Sequence, residues 1–173
     1  MYGSVLSGGL GGHIYGAGGW QGGLWSGEVE DASPTPIWEV IKWRSADQMR
    51  HLRSFVLSEG RRYQNLAPSA EMVQPNKTGK EKSCLGWAYC ARTVEKDLFL
   101  LYFEKDCPKA SLSGALPRSK YKALWFNPRT GDWIGAGVLS ADSAGKITLP
   151  KFPDKSTRSN IDWGLKLTLR DAR

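Results

Sequence analysis

Histidine is nearly missing: His13 and His51 are the only two. Neither stands near a cysteine and no Cys-x-x-Cys occurs, so zinc of the finger type has no ligand set here. The three cysteines, Cys84, Cys90 and Cys107, are an odd number and do not form a disulfide framework. One pair is free to bridge only if the protein is exported. The chain holds no Gly-x-Ser-x-Gly elbow, no His-Glu-x-x-His and no P-loop. Those absences remove the serine-hydrolase, zincin and nucleotide-hydrolase readings, and no metal or cofactor is expected. No apolar run reaches the roughly eighteen residues of a membrane span. No basic-then-apolar leader opens the chain, which reads as a cytosolic protein or as one whose leader lies outside this sequence.

Acidic residues are also in deficit. Seventeen Asp and Glu face 24 Lys and Arg, for a net charge of +7. The excess is scattered, over Lys77, Lys80 and Lys82, then Arg118, Lys120 and Lys122, then Lys151, Lys155 and Arg158. No nucleic-acid signature accompanies it. The cations therefore read as solvated surface, with neither nucleic acid nor membrane as partner.

Two residue types are abundant instead: glycine, at 20, and tryptophan, at 8 in 173 residues. Most of the glycine lies in residues 1–36, interleaved with Tyr2, Val5, Leu6, Leu10, Ile14, Tyr15, Trp20, Leu24 and Trp25. A flexible linker would be Gly and Ser with few bulky groups. The mixture fits chain buried at close quarters, where Gly permits tight turns and near approach of backbone. Its first stretch, YGSVLSGG, reads as a helix end stopped by glycines.

Residues 37–59 read as helix. Trp38, Ile41, Met49, Leu52, Phe55 and Val56 recur at three- and four-residue steps. Pro34 and Pro36 set the entry, Gly60 suits the exit, and Ser45 or Asp47 is placed to cap a second segment. His51 reads as structural or solvent-facing. After RRYQNLAPS, residues 70–173 read as all-β. Strands are expected at Leu85–Thr93, Leu98–Phe103, Lys122–Phe126, Ile147–Leu149 and Gly164–Leu169. Asn127-Pro128-Arg129-Thr130-Gly131 is a turn from one strand into the next. Short strands at this spacing mean a sandwich or barrel.

Three stretches carry a family resemblance: YKALWFNPRTGDW from Tyr121 to Trp133, Ile147-Thr-Leu-Pro150, and Asp162-Trp163-Gly-Leu-Lys-Leu. They resemble the C-terminal β-sandwich, often labelled collagen-binding, that follows the catalytic barrel in apiosidase-like glycoside hydrolases. LSGGLGGHIYG, from Leu6 to Gly16, is similar to the last barrel strand of those enzymes with the helix before it. Met49-Arg-His-Leu-Arg53 and Tyr63-Gln-Asn-Leu-Ala-Pro68 are similar to the final barrel helix and its exit. The resemblance spans almost the whole chain. It implies a mainly β protein: a C-terminal sandwich over 68–173, preceded over 1–67 by a Gly-rich remnant of a (β/α)8 barrel with one or two helices.

The resemblance also implies a place for a ligand. Barrel active sites lie at the C-terminal ends of the strands. His13, Tyr15, Trp20, Gln21 and Trp25 would sit on the eighth strand and the loop after it, where aromatic faces stack on sugar rings. Trp125, Trp133 and Trp163 are expected in the sandwich core, and Trp38 and Trp43 in helix packing. Glycosidases generally need two carboxyl groups flanking the bond they cut. In the resembled enzymes these come from earlier barrel strands. Glu28, Glu30 and Asp31, the first acidic residues here, do not match those positions, so no residue is assigned as catalytic.

Three roles follow. The chain is a non-catalytic C-terminal portion of a carbohydrate-active enzyme; or an independent carbohydrate- or collagen-binding module; or half of a hydrolase whose barrel another chain completes. Triple-helix recognition would require an exposed trench, which strand alternation does not locate. A lone barrel strand has an open edge and an apolar surface. Self-association through residues 1–60 is therefore expected, over cover by the chain's own sandwich or by a barrel-completing chain. Deletion of 1–60 is expected to leave a monomeric, folded sandwich. The parent family implies a secreted or periplasmic location.

Overall fold

The computed structural model describes residues 1–11, 38, 41–79 and 85–170. Among them are two α-helices, α1 (Tyr2–Leu6) and α2 (Arg44–Val56), followed by nine strands. The strands are β1 (Ala67–Pro68), β2 (Val73–Gln74), β3 (Ala88–Arg92), β4 (Leu98–Phe103), β5 (Ser111–Leu112), β6 (Lys120–Phe126), β7 (Trp133–Ser140), β8 (Ile147–Thr148) and β9 (Trp163–Leu169). They form two antiparallel sheets, one ordered β1-β3-β4-β9-β6-β7 and one ordered β2-β5-β8. The protein is mainly β, as the sequence pattern and the resemblance implied.

Side chains alternate across a strand, so each strand of the larger sheet serves two sides. On the inner side, Cys90, Phe99, Leu101, Phe103, Tyr121, Trp125, Leu165 and Leu167 meet Val73, Leu112 and Ile147 of the smaller sheet. Trp125 and Trp163 belong to this core, as expected. Tyr121 is fully buried and ties two loops together. Its hydroxyl accepts the Leu116 N–H at 3.0 Å and donates to the Lys96 carbonyl at 2.9 Å. Strand β4 reads LFLLYF and is buried on both sides, which explains its continuous apolar run.

Part of the second side of the larger sheet is also buried, over β3, β4 and the Phe126 end of β6. Leu98, Leu100 and Tyr102 of β4, Ala91 of β3 and Phe126 of β6 pack against Tyr2, Val5 and Leu6 of α1 and Leu52 and Phe55 of α2. Phe55 is fully buried, with its ring 5.2 Å from Phe126, 5.6 Å from Tyr2 and 6.0 Å from Trp133. Close approach depends on missing side chains. A Cβ on Gly164 would lie 2.8 Å from the Phe55 ring, and one on Gly3 2.6 Å from the Tyr89 ring. Tyr2, Val5, Leu6, Leu52 and Phe55 thus bury themselves on the chain's own sheet.

Several details differ from the sequence expectation. Helix α2 runs from Arg44 to Val56, with Trp43 at its N-cap and no side-chain cap. Asp47 lies in the first turn and pairs with Arg50 at 2.9 Å rather than capping. The helix stops before Gly60, which takes a φ of +60° and opens a 3-10 helix, Gly60–Asn65. Trp133 lies on the helix-facing side, stacked on Phe55, rather than between the sheets. Trp38 is 64% exposed, so helix packing does not account for it. Cys90 and Cys107 are buried and free, and Cys84 lies outside the described residues. His51 is buried and structural, packed where a Cβ on Gly131 would come within 2.4 Å of its Nδ1.

Candidate functional site

All five ligand candidates from the sequence, His13, Tyr15, Trp20, Gln21 and Trp25, lie outside the described residues. So do Glu28, Glu30 and Asp31. Two other features stand out in the described part.

The first is a polar clamp at one end of the larger sheet. Asp162 immediately precedes β9, Tyr102 lies near the end of β4, and Arg129 sits in the β6–β7 turn. That turn forms because the Asn127 side chain accepts the Arg129 N–H at 3.1 Å and Gly131 takes a φ of +80°. Tyr102 donates its hydroxyl to one Asp162 oxygen at 2.5 Å. Arg129 pairs with the other oxygen and also donates to the Asp162 carbonyl at 2.8 Å. Its guanidinium lies 5.1 Å from the centre of the Trp163 ring, within cation–π range. Tyr2 of α1 stacks flat on Tyr102, 4.6 Å between centroids and 7° between planes.

Burial, and then the Asp162 charge, push both phenols up. The same two causes raise the Glu104 carboxyl. Asp162 has both oxygens engaged and an arginine beside it, so it is no free nucleophile or base. The clamp joins three strand ends and α1 but lacks the independent acid and base that glycoside cleavage requires. Tyr102, Arg129 and Asp162 were not singled out as site residues from the sequence. Arg129 and Asp162 do fall inside two of the stretches that carry the resemblance.

The second feature is an apolar groove of about 340 Å³ beside α1 and α2, lined by Val5, Leu10, Met49, Leu52, Val56 and Tyr63. Among the described residues no group of three His, Cys, Asp or Glu could hold a metal. Among the same residues no helix is long and apolar enough to cross a membrane.

A family model described as "Putative collagen-binding domain of a collagenase" matches residues 68–168. The chain belongs to this family. The matched range takes in both sheets of the collagen-binding-type domain except the first residue of β1 and the last of β9. No curated protein matches the chain. Two solved structures resemble it in fold. One is a chain described as a glycoside hydrolase, with a TM-score of 0.59 and 16% identity over 84% of this chain. The other is a glycoside hydrolase family 5 protein from Bacteroides vulgatus ATCC 8482, with a TM-score of 0.57 and 18% identity over 78% of this chain. This chain spans 30% of the first and 26% of the second.

Proposed function

We propose that this chain is a non-catalytic C-terminal portion of an apiosidase-like glycoside hydrolase. In this reading its collagen-binding-type sandwich, over 68–173, is an accessory domain seated on the end of a barrel, of which 1–67 is the last part. The observation that carries the reading is the apolar part of the six-stranded sheet's second side, over β3, β4 and Phe126, which two helices bury. The outer face of an antiparallel sheet is commonly left to water. Here α1 and α2 cover the β3, β4 and Phe126–Trp133 part of it through the Tyr2, Phe55, Phe126 and Trp133 rings. The sheet works as a mount for elements that precede it. The fold likeness to portions of two glycoside hydrolases supports the same reading.

Carbohydrate binding belongs to this proposal, with His13, Tyr15, Trp20, Gln21 and Trp25 as its candidate contacts, and so does a secreted or periplasmic location. The test is an activity assay on pectic side-chain glycosides with the chain alone. No hydrolysis is expected, and turnover above background would overturn the non-catalytic role. A second reading, a hydrolase completed by another chain, is favoured by the apolar groove beside α1 and α2, a suitable seat for barrel elements. Activity that appears only after adding a barrel-bearing chain would select it.

A further inference from the structure

The helix-facing side of the larger sheet continues past α2, and its exposed end is cationic. Strand register fixes which side chains stand there. Phe126 of β6 lies beside Gly164 of β9 and Trp133 of β7, under the helix. Two residues along, Leu124 faces Lys166. Two further, Lys122 lies between Thr168 and Val138. At the end Lys120 lies beside Ser140, and the Arg170 N–H donates to its carbonyl at 2.9 Å, which puts Arg170 directly across from Lys120. Alternation turns all these side chains to one side.

Lys120, Lys122 and Arg170 are exposed, and none makes an ion pair among the described residues. Lys166 differs, being buried and paired with Glu59 at 2.7 Å. Two acidic residues near this end are already engaged. Asp97, whose carbonyl accepts the Leu169 N–H, is held by Arg62 at 2.5 Å and by the Thr93 hydroxyl. Asp142 accepts the N–H groups of Ala144 and Lys146, each at 2.8 Å. Rows two residues apart along a strand are about 7 Å apart, and neighbouring strands about 5 Å. Three like charges therefore share one small flat area, and like charges directly opposite each other cost stability. The floor beside them is bare at Gly135, opposite Leu124, where a Cβ would meet nothing within 4 Å.

We propose that this strip, Lys120, Lys122 and Arg170 on the open end of β6 and β9, binds a carboxylate-bearing polysaccharide. A flat, cationic, uncrowded surface suits an extended polyanion with charges spaced along it. The other side chains of the strip are Leu124, Thr168, Val138 and Ser140, with no aromatic platform for stacking bases and no bulky anchor for a lipid interface. The inference rests on the carbohydrate-active reading above and adds the class of glycan and the surface that holds it.

The test is affinity electrophoresis and calorimetry of the full chain with alginate, with dextran as the neutral probe. The triple variant Lys120→Glu, Lys122→Glu, Arg170→Glu is compared with a control of equal charge change, Lys109→Glu, Lys151→Glu, Lys155→Glu. Thermal melts establish that both variants fold, and Lys→Gln and Arg→Gln versions replace any that do not. The native chain is expected to bind alginate, more weakly as salt rises from about 50 to about 200 mM. The strip variant is expected to lose about tenfold or more in affinity, and the control little. Equal losses in both variants would overturn the site and leave only net charge. Duplex DNA or anionic vesicles bound as tightly as alginate would overturn the glycan class. No binding to alginate would overturn the inference outright. Dextran binding that survives charge reversal would also overturn it, while leaving the accessory carbohydrate role standing.

Discussion

Replacing Phe55 with Ala, and Gly164 with Ala, singly and together, tests whether α2 is seated on β9. Phe55 is fully buried, and truncating such a ring costs about 3–5 kcal/mol. At about 2–4 °C per kcal/mol for a chain of this length, the melting temperature should fall by about 6–20 °C. Gly164→Ala acts oppositely, by overfilling. The new Cβ would stand 2.8 Å and 3.3 Å from two Phe55 ring atoms and 3.1 Å from the Phe126 Cβ. Overpacking of that kind costs about 1–3 kcal/mol. Without the Phe55 ring, the Phe126 Cβ at 3.1 Å is what remains of the three nearest atoms. Alanine also gains about 0.5–1 kcal/mol over glycine within a strand. In the Phe55→Ala background the Gly164 change should therefore cost almost nothing or stabilise. Urea titrations of the four proteins give the coupling directly, expected at about 1–2 kcal/mol and within the range for touching residues. Additivity within about 0.5 kcal/mol would refute the contact and, with it, the mount between helix and sheet.

Other outcomes follow from the same packing. Glu59→Ala should cost about 1–3 kcal/mol, because it leaves the buried Lys166 ammonium without its acceptor. Adding Lys166→Met should recover most of that loss in urea titrations. Burial raises the Asp97 carboxyl, but its bonds to Thr93 and Arg62 outweigh this and lower it. Its contribution is thus present above the ordinary carboxylate range and lost as pH falls through its lower folded value, and Asp97→Asn should flatten the acid limb of a stability-versus-pH curve. Burial, then the Glu104 charge, push the Cys107 thiol up to about 12, and burial raises Cys90 as well. In a Cys84→Ser protein both should resist a thiol reagent at pH near 8 until urea unfolds the chain; rapid labelling of the native protein would refute the burial.

What could be read from the sequence depended on how much of each element is core. Strand β4 was found residue for residue, because its six side chains are all buried and the run stands clear of its neighbours. Strands β6 and β9 were found within two residues at their starts, since large inner residues recur at alternate positions. Beyond Trp133, β7 was not seen. It is an edge strand with Gly135 and Gly137 inside it, a register shift opposite Ala123 and Leu124, and little buried surface to leave a pattern. The two-residue strands β1, β2 and β5 are too short for any period to show. The clamp was hidden for another reason. Tyr102 lies in β4 while Arg129 and Asp162 lie in two separate connections, and only the sheet order brings them together. The stripe Leu52–Phe55 was legible as an apolar face, but periodicity alone does not name its partner, the sheet that it packs on.

That partner changes the expectation for a chain lacking residues 1–60. With α1 and α2 removed, Leu98, Leu100, Tyr102 and Phe126 lose their cover, and all four are at most 6% exposed in the whole protein. Leaving Leu98, Leu100 and Phe126 in water would forfeit about 1.5–3 kcal/mol each, or about 5–9 kcal/mol together. A domain's whole stability is only about 5–15 kcal/mol. Lys166 would also lose Glu59. The truncated chain should therefore not be a well-folded monomer. Binding of a hydrophobic dye, a broad thermal transition and concentration-dependent sedimentation are expected. Lysine or glutamate at Leu98 and Leu100 should restore solubility, because those side chains would then face water rather than α1 and α2. A truncated, otherwise native sequence that sediments as a monomer and melts as sharply as the full chain would show that the sheet does not need this cover. It would return the sandwich to the status of an independent module.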